Sequence, residues 1–253
     1  MKSITSTTTI AALLIGAGQS FAADAAADKP QTWETSASAG LTVTRGNNDS
    51  MSANLGFRTE TKWDKNEFKA GADGIYGKSK PNGGDETVSA ETLSAFGQYN
   101  RLFTEQFYGL GRVEGLHDNV NGVKYRLTVS PGAGYYFIKD AKTTLNAEVG
   151  PGFIHEKLKK NPGYEENDYI TIRLAENFKH SLNDSVRVWQ KAEFLPQVDD
   201  FENYILNFEV GMEADLSKKL SFQTKILDTY DNVPAPGLKR NDLKWINAIS
   251  YKF

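Results

Sequence analysis

The chain has 253 residues, with Lys+Arg 29 against Asp+Glu 32, 11% aromatics and no cysteine. A formal charge of -3 excludes the basic footprint of a nucleic-acid binder, and the missing cysteines exclude disulfide frameworks, thiolate metal sites and cysteine nucleophiles together. A mean hydropathy of -0.50 is too low for a bundle of membrane helices, each of which needs about 20 mostly apolar residues in a row.

The first predicted element is an address. Lys2 supplies a short positive start, Ile10 to Gly18 an apolar core, and Ser20-Phe21-Ala22 the small residues a signal peptidase reads. The apolar run is too short to cross a bilayer, so residues 1–22 read as a cleaved signal peptide and the protein is expected to leave the cytoplasm. An alanine-rich polar stretch, 23–31, reads as a short periplasmic linker, and 32–253 as a single domain.

From Trp33 the sequence beats with period two. Trp33, Ala37, Ala39, Leu41 and Val43 alternate with Glu34, Ser36, Ser38, Gly40 and Thr42; Met51 to Trp63 repeats the pattern, with Arg58, Glu60 and Lys62 at the polar positions. Successive side chains on a strand point to opposite faces, so such alternation gives one apolar and one polar face. A helix would scatter the three charges around its circumference. The pattern returns at Phe68 to Tyr76, Leu93 to Tyr99, Phe107 to Val113, Tyr125 to Phe137 and Leu145 to Phe153. It continues at Ile170 to Phe178, Val186 to Phe194, Tyr204 to Leu216, Leu220 to Tyr230 and Leu243 to Phe253.

Short polar turns (64–66, around 104–106, 139–142, 181–184, 217–219) alternate with longer segments rich in Gly, Pro, Asn and Asp (46–50, 77–86, 117–122, 156–167, 196–200, 231–241). Short turns on one side and longer loops on the other are how a transmembrane β-barrel lies in the outer membrane. Closure follows from the same physics, because hydrocarbon offers no partner for the backbone groups of an open sheet edge. The expectation is an all-β, antiparallel transmembrane β-barrel of about 12 strands with both termini periplasmic. Aromatics near strand ends, among them Trp33, Trp63, Tyr76, Tyr99, Phe107, Phe137, Tyr230 and Trp245, are the interfacial girdle. Tyr251 and the terminal Phe253 resemble the sorting signal that barrel-insertion machinery recognises. That machinery and the outer-membrane lipids are therefore the expected partners.

Two blocks carry a family resemblance. Ser38 to Glu60, SAGLTVTRGNNDSMSANLGFRTE, contains a strand running into Gly46-Asn47-Asn48-Asp49-Ser50. Gly97 to Arg126, GQYNRLFTEQFYGLGRVEGLHDNVNGVKYR, is followed by Gly132-x-Gly134-Tyr135 and Glu148-x-Gly150. In order and spacing these resemble the salt-induced outer-membrane protein family (YdiY-like, a domain of unknown function). The resemblance implies a small outer-membrane barrel and brings no catalytic residues with it.

If the apolar positions face lipid, the alternate ones line the interior. The candidates are Arg58, Glu60, Lys62, Arg112, Glu114, Arg126, Glu148, Arg173, Arg187, Lys191, Glu193, Glu209 and Glu213, with Lys69, Asp73, Lys124, Lys225, Asp242 and Lys244 of the same parity. The signs nearly balance, which fits a salt-bridged, mostly filled interior or a weakly selective narrow pore for small polar solutes. Tyr136, Tyr169 and Trp189 share that parity and would stack on a sugar or fill space. No enzyme activity, cofactor or metal is expected. The three histidines, His117, His155 and His180, lack a serine partner in any hydrolase pattern, and no zinc or EF-hand motif occurs. Two alternatives stay open: an envelope hydrolase using His117 or His155, and a binding module built on the long loops. The acidic pairs Asp85-Glu86, Glu165-Glu166 and Asp199-Asp200 in the outer loops would touch divalent cations bridging lipopolysaccharide or stand as solvated loop tips.

Overall fold

The computed structural model describes residues 32–44, 48–81 and 84–253. The predicted signal peptide, the linker and the Gly46-Asn47 part of the first turn lie outside the described residues. Twelve strands follow in order: β1 Trp33–Thr44, β2 Asn48–Trp63, β3 Asn66–Pro81, β4 Thr87–Leu102, β5 Phe107–Asp118, β6 Val123–Lys139, β7 Thr143–Lys159, β8 Tyr164–Ser181, β9 Val186–Pro196, β10 Tyr204–Asp215, β11 Leu220–Asp231 and β12 Asn241–Lys252. Each pairs antiparallel with its neighbours in sequence, and β1 meets β12 to close a barrel.

Parity fixes the faces. Opposed residues share a face, so Leu55, Trp245, Leu243, Val149 and Phe153 form an apolar outer surface, with Trp245 70% and Leu55 66% exposed. The alternate row turns inward, where Gln98, Ser130, Glu148, Thr171 and Ser221 are buried. The molecule is thus polar inside and greasy outside, the inverse of a soluble sandwich.

The strands outrun the sequence reading. β3 continues to Pro81 through a bulge at Gly77/Lys78, β7 to Lys159, and β8 begins at Tyr164. The predicted loops 77–86 and 156–167 are therefore mostly tall hairpins, and 117–122 keeps only 119–122 as its turn. Among the described residues of 78–86 and 157–167 none is buried on either face, so alternation had little to mark.

Four of the five short turns share one construction. Thr104 Oγ1 accepts from the backbone N–H groups of Gln106 and Phe107, Asp140 Oδ1 from Lys142 and Thr143, Asn183 Oδ1 from Ser185 and Val186, and Ser217 Oγ from Lys219 and Leu220. These are Asx- and ST-type turns in which a side chain supplies the acceptor the backbone lacks. At Asp140 the two N–H donors hold the carboxyl below the ordinary aspartate range.

Two joints are irregular: one is interrupted within its length and one is short. Between β6 and β7 the ladder runs Val129↔Phe153 and resumes at Ala133↔Val149. That register sets Pro131 opposite Pro151, two residues without N–H donors. Between β1 and β12 the ladder covers only Ser36–Ala39 against Ile249–Lys252; beyond it the Asn54 side-chain amide donates to the Asn247 carbonyl at 3.4 Å.

Candidate functional site in the barrel interior

Inward carboxylates and guanidiniums from neighbouring strands meet in register, because residues opposed across a ladder project side by side. Glu148 on β7 is the most connected. It accepts from Gln98 Nε2 (2.8 Å), Tyr108 OH (3.0 Å) and Arg173 Nη1 (2.8 Å), while Arg173 Nε also donates to Glu193 at 2.6 Å. Asn146 Nδ2 donates to the Tyr108 hydroxyl at 2.6 Å. Buried charge is tolerated only with this degree of pairing.

Other contacts cross the lumen between distant strands. Lys225 on β11 reaches Asp73 on β3 at 3.3 Å, and Lys244 on β12 reaches Asp118 on β5 at 3.1 Å. Arg126 on β6 holds Glu156 at 2.5 Å and reaches Asp231 on β11 at 3.3 Å. Lys179 on β8 approaches Glu60 on β2, its opposite in the ring, at 4.0 Å. Tyr136 and Lys139 on β6 donate to Glu67 on β3.

The remaining predicted lining residues fall into the same scheme. Arg58 pairs with Asp73 and Arg112 with Glu114, both guanidiniums lying near the Phe96 ring. Arg187 and Lys252 share Glu213 and Asp215. Lys191 and the Trp189 indole N–H both donate to Glu209. Lys62 stands exposed near the short-turn rim, and Lys124 sits at the opposite rim over the Tyr164 ring. Trp189 and Tyr136 are held by carboxylates, and Tyr169 packs on buried Ile154, Leu195 and Ile205; all three fill space. Charge scanning overlooks the neutral partners Gln98, Asn100 and Asn146. Their signal is the even parity of polar residues in β4 and β7.

One mouth is covered by loop 232–240. Ala235 in this loop is buried and lies against Gly122 in the β5–β6 turn: a Cβ there would sit 2.9 Å from Ala235 Cβ and 3.2 Å from Leu238 Cδ1. Asn121 in the same turn donates to Asp242 on β12 at 2.8 Å. Loop and turn come from opposite sides of the ring and meet over the opening.

The histidines are dispersed. His155 faces outward, with Nδ1 2.7 Å from Asp168 and Nε2 3.2 Å from the Tyr125 hydroxyl; no serine or threonine hydroxyl is among these partners. His117 meets the Lys124 carbonyl, and His180 the Thr143 hydroxyl at the other end. Two of the acidic pairs are engaged with lysines, Glu86 with Lys78, Glu165 with Lys160 and Glu166 with Lys157, while Asp199 accepts from the Gln197 side-chain amide and Asp200 from the Glu202 backbone N–H; the Lys78 ammonium holds the Glu86 carboxyl below its usual range. Among the described residues no group of three His, Cys, Asp or Glu side chains is arranged to hold a metal ion.

Solved structures resemble this barrel. The NanC porin superposes with a TM-score of 0.50 at 7% identity, covering 87% of this chain and 96% of that one. The COG4313 outer membrane channel from Pseudomonas putida F1 gives 0.46 at 10% identity, covering 88% and 95%. The KdgM porin in complex with disordered oligogalacturonate gives 0.45 at 8%, covering 88% and 99%. At these identities the likeness is one of fold. No curated protein matches the sequence. A family model described as "Protein of unknown function, DUF481" matches residues 37–253.

Proposed function

The chain belongs to the DUF481 family of proteins of unknown function, and from that premise we propose that it is an outer-membrane barrel acting as a narrow, normally near-closed conduit for ions and small polar solutes. The observation that carries the reading is the nature of the closure. Among the described residues the interior is crossed by side-chain ion pairs and hydrogen bonds, with the single loop 232–240 over one mouth. A barrel needed only as a wall could fill its interior with apolar packing. This one keeps a polar, sign-balanced path blocked by non-covalent links, and sign balance predicts weak charge selectivity.

The location rests on the apolar outer surface, the porin-like fold and the predicted signal peptide at 1–22, with short turns and both termini on the periplasmic side. Outer-membrane lipids and the insertion machinery, reading Tyr251 and Phe253, are its partners in this scheme. In this reading the barrel is not an enzyme: His155, which holds a carboxylate and a hydroxyl, has Tyr125 as its hydroxyl partner, and that tyrosine is itself engaged with Glu166.

Planar-bilayer recording of the refolded chain is expected to show small, discrete conductance steps with little anion or cation preference. Deletion of 233–238 should enlarge them. A barrel that stays silent with and without that loop would refute the conduit.

A further inference from the structure

The outer wall carries one feature that conduction does not use. Across β5 to β10 an apolar groove of about 530 Å³ crosses the surface. Its floor is alanine, at Ala133, Ala147 and Ala192, and its flanks are larger side chains such as Leu174, Phe194 and Leu206. The register makes it a continuous diagonal, Ala147 standing opposite Glu176 and Glu176 opposite Ala192. Phe107 begins β5 at the short-turn rim and Leu206 lies near the other end of β10. At about 4.8 Å per strand the groove is roughly 24 Å long, the scale of an extended acyl chain.

In this groove sits an outward-facing carboxylate. Glu176 takes one hydrogen bond, from the Gln190 side-chain amide at 3.1 Å, and its opposed neighbours are alanines. A carboxylate facing lipid is expensive and marks a site whose counter-charge comes from elsewhere. Its depth is informative. Phe178, two residues along β8 and so about 7 Å away, belongs with Phe137 and Phe107 to the aromatic rim at the short-turn side. Glu176 is therefore one step inside the headgroup boundary, within reach of a headgroup whose chain follows the groove inward.

We propose that this groove is a binding site for one phospholipid with a primary ammonium headgroup, its nitrogen donating to Glu176 and one acyl chain lying over Ala192 toward Leu206. The charge excludes anionic headgroups, and a quaternary ammonium has no N–H to give. The site is independent of whether the lumen conducts.

Native mass spectrometry of the folded barrel, released from micelles with equal phosphatidylethanolamine, phosphatidylglycerol and phosphatidylcholine, tests it. One retained phosphatidylethanolamine is expected, favoured over each of the others by about tenfold, the ratio one charge-assisted hydrogen bond supplies. Glu176→Gln should bring the three near parity, and Ala192→Phe should abolish retention of all three; Ala147→Leu serves if the first groove-filling variant does not fold. Equal retention of the three lipids by the unmodified barrel, an unchanged preference in Glu176→Gln, or an undiminished adduct in the filled-groove variant would each overturn the assignment.

Discussion

Two inward aromatics lie flat on glycines of the next strand, and that arrangement sets what the interior accepts. Tyr108 stands opposite Gly134 and Trp189 opposite Gly211; a Cβ on either glycine would come within 2.2 Å of the ring. The glycine lets each ring fold down and present its polar atom to a carboxylate, Glu148 in one case and Glu209 in the other. Gly211→Ala is therefore expected to cost about 1–3 kcal/mol through overpacking, read as a lower urea midpoint with unchanged slope. Gly97→Ala is the control, because its added methyl meets nothing within 4 Å, and it should leave the midpoint where it was. Glu148→Ala is expected to be more damaging, at roughly 3–5 kcal/mol, since it strands the Arg173 guanidinium in a buried site. None of these partners was legible in the sequence. Parity shows which charges point inward, whereas their pairing depends on partners from 2 to 152 residues away and on uncharged amides that a scan for charge passes over.

At the level of strands and turns, most of the fold was legible. Twelve period-two segments lie where twelve strands are, because one lipid face and one polar face leave an alternation no helix produces. Their ends were not, because in the tall hairpins at Lys78–Lys80 and Glu165–Asp168 water wets both faces and every position is charged or polar. The four shared short turns were readable in hindsight: Thr104, Asp140, Asn183 and Ser217 occupy the same place in each. At Asp140 the folded pKa lies below the unfolded one. Its contribution is accordingly complete at neutral pH and is lost as acidification protonates the carboxyl. Asp140→Asn should keep the turn and remove that acid-dependent part, seen as a smaller loss of unfolding midpoint between neutral and acidic buffer. The paired prolines make a different prediction. Amide exchange at Gly132, Gly150 and Gly152 should be faster than at Val129 or Val149, which flank the gap in the β6–β7 ladder; equal protection across the seam would show that the ladder is intact in solution.

For the molecule as a whole, the strand order was readable from nearest-neighbour hairpins and the need for closure, while the state of the lumen was not, since it depends on contacts between strands up to half a turn of the ring apart. Lys225→Ala, which removes the link to Asp73, is expected to raise single-channel conductance without altering the folded fraction, and Lys244→Ala should do the same through Asp118. The position of the two irregular joints has a consequence of its own. The β6–β7 gap and the short β12–β1 overlap lie diametrically apart and divide the ring into two arcs of six strands each, β1–β6 and β7–β12. Asp73–Lys225, Asp118–Lys244, Arg126–Asp231, Glu60–Lys179 and Gln98–Glu148 each tie one arc to the other. Such lacing places the yielding parts of the molecule in its side chains: as the ties let go, the bore opens while the ladders of the wall stay intact.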